Sequence, residues 1–311
     1  MQKFYKAIKS ALTKGESRTV ETDITTGEKT VVQSGEIGIF GNVLREEFIP
    51  RPQLVLCGAG HVSKAVCSLA VKLDFDVTVM DDRAEFANKM RFKKARALWC
   101  APFDVALDNI NYNDNMYFAI MTCGHLNDRL CLEHIINKPS AYVGMIGSHR
   151  KNALVREEMI KNGYSEEKLD KVYAPIGEDI GAQSVEEIAV SIAAQLIRVR
   201  NARKKGAPVE SDMINALASG KAKVLATVVD KKGSAPRGAG ARLALMQDDK
   251  IVGTVGGGSA EYEVIKAAKK LKENAMPTLV NFNMTNAEAQ KEGMICGGEI
   301  TVLLERIDKN M

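Results

Sequence analysis

The six cysteines of this 311-residue chain (57, 67, 100, 123, 131 and 296) form no CxxC pair. That scatter excludes a zinc ribbon and does not suit the framework of a small secreted disulfide protein. No stretch reaches the roughly 18 consecutive apolar residues that a membrane span needs. The opening MQKFYKAIKSALTKGESR lacks the apolar centre of a secretion signal. A cytoplasmic location with no membrane partner is therefore expected. Aromatics are scarce, at 5%, and none interrupts the one basic cluster, RVRNARKK at 198–205. A single-strand groove combines cations with stacking rings, so no nucleic-acid partner is expected.

What is present is a patterned chain long enough for about two domains. Residues 2–13 read as an amphipathic helix, and RTVETDI and KTVVQ form a hairpin around Thr26-Gly27. From residue 53 strands and helices alternate. QLVLC, DVTVM, MYFAIM and SAYVGMI are apolar runs, each followed by a loop and a helical pattern. This is the pattern of a Rossmann-like parallel sheet covered by helices, with ligands beyond the C-terminal strand ends. Ser184 and Glu187 have the spacing of a capping box for the last helix of that region. The Gly-Ala-Pro at 206–208 then marks a boundary, and the remainder reads as a smaller mixed α/β domain rich in glycine loops. The expected division is 1–50 as a connecting helix and hairpin, 51–205 as the Rossmann-like domain and 211–311 as the small domain.

Gly58 and Gly60 lie between a strand and a helix, in GAGHVS. Glycine there permits a tight turn and close approach of a phosphate to the helix N-terminus, and Ser63 is small enough for the helix to pack on the sheet. Asp81 ends the next strand, where a carboxylate can accept from a ribose hydroxyl. The alternative is a plain sheet turn that keeps its glycines. His61, His125 and His149 all fall in loops beside strand ends, where imidazole, Asp128, Arg150 and Lys151 could converge on an anion.

Three further glycine loops follow: GSAPRGAGARL, GTVGGGSAE and GMICGGE. Gly238, Gly256, Gly257, Gly258 and Gly297 open the backbone to a ligand, Arg237 and Arg242 add charge, and Glu261 adds a carboxylate able to orient a ligand or accept a proton. Cys296 stands between Ile295 and paired glycines, either as a thiol able to ligate a soft metal or carry sulfur, or as a small residue packed under a turn.

With these motifs in place, the chain resembles the XdhC/CoxI family, the xanthine dehydrogenase accessory proteins. GSAPRGAGAR, GGGSAEYE and GMICGG resemble its smaller domain, and LVLCGAGHVSKA, VMDDR, YVGMIGSHRK and PIGEDIGA resemble its Rossmann domain. The domain order looks circularly permuted relative to the common arrangement, and Cys123 and Glu178 depart from the family pattern. The resemblance implies a factor that binds the molybdenum cofactor (molybdopterin, or its nucleotide form), assists its sulfuration and delivers it to a xanthine dehydrogenase-type molybdenum hydroxylase. From the recurring glycines, cations and lone thiol, the cofactor is expected in a cleft between the domains, and a cysteine desulfurase is expected as a second partner. Carried over by position, Gly58, Gly60, His61 and Asp81 match the nucleotide-type turn. Gly238, Arg242, Gly256, Gly257, Gly258, Glu261, Cys296 and Gly297 match the small-domain loops. A homodimer is the expected assembly. The rival readings are an NAD(P)-dependent oxidoreductase with His125 or His149 as acid, and a non-catalytic scaffold joining desulfurase to hydroxylase.

Overall fold

The computed structural model describes residues 1–203, 208–233, 238–283 and 298–308. The chain divides into two compact units, Met1–Pro50 with Gly206–Met311, and Arg51–Lys205.

The chain begins with α1 (Gln2–Thr13), whose buried Tyr5, Ile8 and Ala11 recur every three residues on one face. The expected hairpin follows as β1 (Arg18–Asp23) and β2 (Lys29–Val32). Its turn is held by Asp23, whose Oδ1 accepts from the amides of Thr25 and Thr26 at 2.7 and 2.9 Å. A second hairpin, β3 (Gly38–Phe40) and β4 (Val43–Phe48), completes an antiparallel sheet in the order β2-β1-β4-β3.

The second unit starts with β5 (Gln53–Cys57), α2 (His61–Lys72), β6 (Asp76–Asp81), β7 (Ala97–Cys100) and α3 (Phe103–Asp108). It continues through β8 (Met116–Ile120), α4 (His125–Ile135), β9 (Tyr142–Met145), α5 (His149–Lys161), α6 (Glu166–Leu169) and α7 (Val185–Ala202). All five strands are parallel, in the order β7-β6-β5-β8-β9. Strand alternation sorts their side chains to two cores. Leu54, Leu56, Val77 and Val79 pack with α2 and α7, while Val55, Cys57, Phe118 and Ile120 pack with α3, α4 and α5. The expected capping box is present at α7, where Ser184 Oγ accepts from Glu187 N at 3.2 Å and Glu187 Oε2 accepts from Ser184 N at 3.0 Å. The chain runs outward from β5 to β7, then returns to place β8 on the other side of β5. That reversal makes the C-terminal ends of β5 and β8 the switch point at which such sheets bind ligands.

The first unit resumes with α8 (Ser211–Ser219), β10 (Ala222–Gly233), β11 (Arg242–Met246), β12 (Ile251–Gly253), α9 (Gly258–Lys270), β13 (Thr278–Asn283) and β14 (Gly298–Arg306). These strands form an antiparallel sheet in the order β12-β11-β10-β14-β13. The first fifty residues are joined to it by a core containing Tyr5, Ile8, Phe48, Met213, Leu217 and Leu225. Two buried ion pairs add to that junction: Lys29 with Glu305 at 2.9 Å, and Glu46 with Arg242 at 2.8 Å.

Candidate functional site

At the switch point of the parallel sheet, the backbone explains each glycine separately. Gly58 has φ +113°, and a Cβ there would lie 2.1 Å from the Met121 carbonyl oxygen, so the turn after β5 presses directly on the loop after β8. Gly60 is different. It caps α2 with no side-chain bond, no acid stands in the first turn of that helix, and a Cβ on Gly60 would meet nothing within 4 Å. The N-terminus of α2 thus has no side-chain cap and open space beside Gly60, with the helix dipole favouring negative charge. Ser63 is wholly buried in the first turn and its Oγ has no partner among the described residues. Its small size lets α2 lie close to the sheet.

Asp81, expected to accept from a ribose hydroxyl, is already bonded within the chain. Oδ2 accepts from Ala59 N at 2.7 Å and Arg83 Nη2 at 2.9 Å, while Oδ1 accepts from Arg83 Nε at 2.8 Å and Arg83 N at 3.1 Å. A carboxylate offers about four lone-pair positions, and four donors occupy them. The side chain is also fully buried, and its bonds hold the glycine turn. Burial pushes its carboxyl upward, but the Arg83 guanidinium and the amides of Ala59 and Arg83 outweigh burial and hold it below the usual carboxylate range. Arg83 lies on the ring of Phe86 at 4.1 Å, and Arg91, 5.1 Å from the same ring, donates to the Ala59 carbonyl at 3.1 Å. Arg91 and Phe86 carry no signal in the sequence, because they sit in a loop without periodicity.

The three histidines are brought into register. His61, His125 and His149 are the first residues of α2, α4 and α5, which follow the adjacent strands β5, β8 and β9, and all three are exposed, as is Arg150. Among the described residues, no group of three or more His, Cys, Asp or Glu side chains is arranged to hold a metal ion. Asp128 and Lys151, expected beside the histidines, are paired with each other. Lys151 Nζ donates to Asp128 Oδ2 at 2.7 Å, and the Asp128 Oδ1 accepts from Thr122 N and Oγ1 at 3.1 and 2.6 Å. They brace the loop carrying Cys123, Gly124 and His125. Glu178, whose facing the sequence left open, pairs with Arg198 at 2.7 Å.

In the other unit, Gly256, Gly257 and Gly258 have φ of +131°, +76° and +64°, and Cβ atoms on Gly257 and Gly258 would meet nothing within 4 Å. Glu261, one turn into α9, reaches back to this loop. Its Oε2 accepts from the amides of Val255 and Gly257, both at 3.1 Å, and from Thr254 Oγ1. Burial raises the Glu261 carboxyl and these bonds more than offset it, leaving the group below its usual range and ionised. A cavity of about 220 Å³ opens nearby, lined by Glu210, Gly238, Ala239, Gly240, Arg242 and Thr254.

The charge of Arg242, expected beside the glycine loops, is met within the chain. Its Nη2 donates to Glu46 Oε1 at 2.8 Å, its Cζ sits 4.4 Å from the centroid of Phe48, and only 7% of the residue is exposed. Glu46 and Phe48 carried no sequence signal, because their partner is supplied by another part of the chain. Arg237, Cys296 and Gly297 lie outside the described residues.

Residues 54–196 match the XdhC Rossmann domain, and residues 216–283 match the XdhC and CoxI family. The "Uncharacterized protein YqeB" of Escherichia coli (strain K12) is 35% identical over 152 residues, covering 49% of this chain and 28% of that protein. A probable xanthine dehydrogenase subunit of Bacillus subtilis (strain 168) is 28% identical over 159 residues, covering 51% of this chain and 46% of that one. The matched stretches thus span less than half of either relative. Among solved structures, a xanthine dehydrogenase from Bacillus halodurans has a TM-score of 0.55 at 24% identity, with 64% of each chain covered. That likeness is one of fold. The first family match falls inside the parallel-sheet unit and the second inside the glycine-loop unit. With its parallel sheet matching the Rossmann domain and its glycine-loop unit matching the other part, the chain belongs to the XdhC and CoxI family.

Proposed function

We propose that this chain is an accessory factor for a xanthine dehydrogenase-type molybdenum hydroxylase, binding the molybdenum cofactor and assisting its sulfuration and insertion. The observation that carries this reading is the occurrence, on one chain, of both family matches together with open glycine-built loops in each unit. The residues fit the phosphate-bearing part of such a cofactor. The uncapped N-terminus of α2 at Gly60 and His61 offers amides, and the open backbone of Gly257 and Gly258 offers close approach.

When bound, the cofactor supplies the molybdenum chemistry of the client enzyme. The chain's own residues bind and orient. Asp81 and Arg83 fix the glycine turn, Arg91 anchors its Ala59 carbonyl, and Glu261 fixes the loop before α9, so that neither loop must be ordered at the moment of binding. His125 and Arg150 stand exposed at the sheet edge as further polar contacts, and Cys296 is the thiol assigned to the metal or sulfur end. A cysteine desulfurase as second partner, a cytoplasmic location and a homodimer belong to the same proposal. The nicotinamide alternative is disfavoured by the saturation of Asp81, which leaves that carboxylate no lone pair for a ribose hydroxyl.

The test is anaerobic binding of molybdenum cofactor and of NADH to the purified chain, followed by metal analysis and pterin fluorescence. Stoichiometric, slowly released cofactor with negligible NADH binding is expected. Tight NADH binding with no retained pterin would sink the proposal.

A further inference from the structure

Arg91 is a half-buried cation whose charge no described residue meets. Its Nη2 donates to the Ala59 carbonyl at 3.1 Å, and its Cζ lies 5.1 Å from the centroid of Phe86. Among the described residues no carboxylate pairs with it; Nε is a buried donor without a partner, and Nη1, which has none either, is not a buried atom. One nitrogen holds the chain and another is left open. Arg83, 4.1 Å from the same ring, is in the opposite condition, because Asp81 takes its Nε and Nη2 and Asp82 stands 3.9 Å from Nε. Two guanidiniums on one ring repel, and a cation withdrawn from water is costly without a counter-charge. For Arg83 the chain supplies that charge, and for Arg91 it does not.

The Ala59 carbonyl belongs to the peptide that enters α2 at Gly60, so Arg91 is fixed at the mouth of the helix. That helix end has no side-chain cap and no acid in its first turn, and a Cβ on Gly60 would meet nothing within 4 Å, so the guanidinium leaves the space beside Gly60 open. A helix end alone means little. Beside a guanidinium with an open nitrogen, its amides and its dipole act on the same anion. A phosphate group has enough oxygens to take the guanidinium and the amides together.

We propose that Arg91 is a direct phosphate-binding residue: its Nη1 takes an oxygen of a phosphate group seated at the N-terminus of α2, with Phe86 and the Ala59 carbonyl holding the guanidinium in place. The inference rests on the phosphate site proposed above for α2, and it supplies the cation that the amides lack.

Inorganic phosphate is the probe, titrated into the full ¹⁵N-labelled chain against chloride at constant pH and ionic strength, with the amide resonances of His61 and Val62 as the readout. A saturable shift of both is expected in the wild type. Arg91→Gln should weaken binding at least about tenfold, the size of a hydrogen bond to a charged group. Arg91→Lys keeps the charge and should recover most of that loss, whereas a purely structural arginine, valued for its planar fork, would fail equally as lysine. Lys93→Gln removes an exposed charge from the same loop and should change binding less than about twofold. The Arg91 Nε–H resonance, assigned by its loss in Arg91→Lys, should shift in the wild type with the same saturation as the amides. A wild type without saturable shifts, an Arg91→Gln chain that binds as the wild type does, or equal losses in Arg91→Gln and either lysine-site comparison overturns the proposal. An unmoved Nε–H resonance overturns it even where Arg91→Gln does not fold. Cofactor retention is measured separately. Unchanged retention by Arg91→Gln would overturn the assignment of this phosphate to the cofactor, and a wild type that keeps no cofactor would sink the accessory reading while the phosphate titration still judges Arg91.

Discussion

Arg83 closes on Asp81 through Nε at 2.8 Å and Nη2 at 2.9 Å, and the same carboxylate takes the Ala59 amide at 2.7 Å. An acid that a dinucleotide site would turn toward a ribose is here a brace beneath the glycine turn. Asp81→Asn keeps the size and loses the charge, and should cost about 2–4 kcal/mol, read as a lower urea midpoint at pH 7. The sign with pH follows from the depressed folded value. The stabilisation is complete above the unfolded carboxylate value of about 4 and is lost as pH falls through the lower folded value. The wild type should therefore lose this share of its stability below about pH 4, and the difference between wild type and Asp81→Asn should shrink there.

Gly58 and Gly60 should behave oppositely. Gly58→Ala sets a methyl 2.1 Å from the Met121 oxygen at φ +113°, and should destabilise the chain by more than about 2 kcal/mol. Gly60 has φ −68° and open space in front of it. Gly60→Asp should raise the thermal midpoint slightly, since an acid caps α2 better than glycine by a few tenths of a kcal/mol. The same carboxylate should expel a bound phosphate group, so cofactor retention should fall at least tenfold while the fold gains stability. Loss of both together would show that Gly60 matters to the fold and not to a ligand.

For Glu261, the expected effect lies in the loop it holds. Glu261→Ala removes the acceptor of the Val255 and Gly257 amides and should speed their hydrogen exchange at least tenfold, equivalent to about 1.4 kcal/mol. Exchange in the interior of α9 should change far less. Cofactor affinity should drop with the loop order, because the ordering must then occur on binding.

The pair between Lys29 and Glu305 is buried on both sides. Removing one partner strands the other. Lys29→Met alone should cost about 3–5 kcal/mol, and Lys29→Met with Glu305→Leu should recover most of that loss in a double-mutant cycle read by urea denaturation. Equal losses in the single and double variants would mean that the pair does little to join the N-terminal segment to the glycine-loop sheet.

Much of the architecture was legible because its causes are local. The three-residue spacing of Tyr5, Ile8 and Ala11, the strand runs from Gln53 to Met145, the capping box of Ser184 and Glu187, and the glycines at strand-to-helix turns each act within a few residues of themselves. Strands β3, β4, β7 and β13 were not read from the sequence; the residues of β7 are half-exposed or exposed and leave no clear alternation. The site was legible only in outline. Sequence placed Asp81 and Arg242 near phosphate-type loops, but whether a charge is free depends on its partner. Arg242 meets Glu46 across 196 positions of chain, and Lys29 meets Glu305 across 276. Residue type and spacing determined where the backbone can approach a ligand. Only tertiary structure decided which charges remain to meet one, because ion pairs form between surfaces that folding, and not proximity in sequence, brings together.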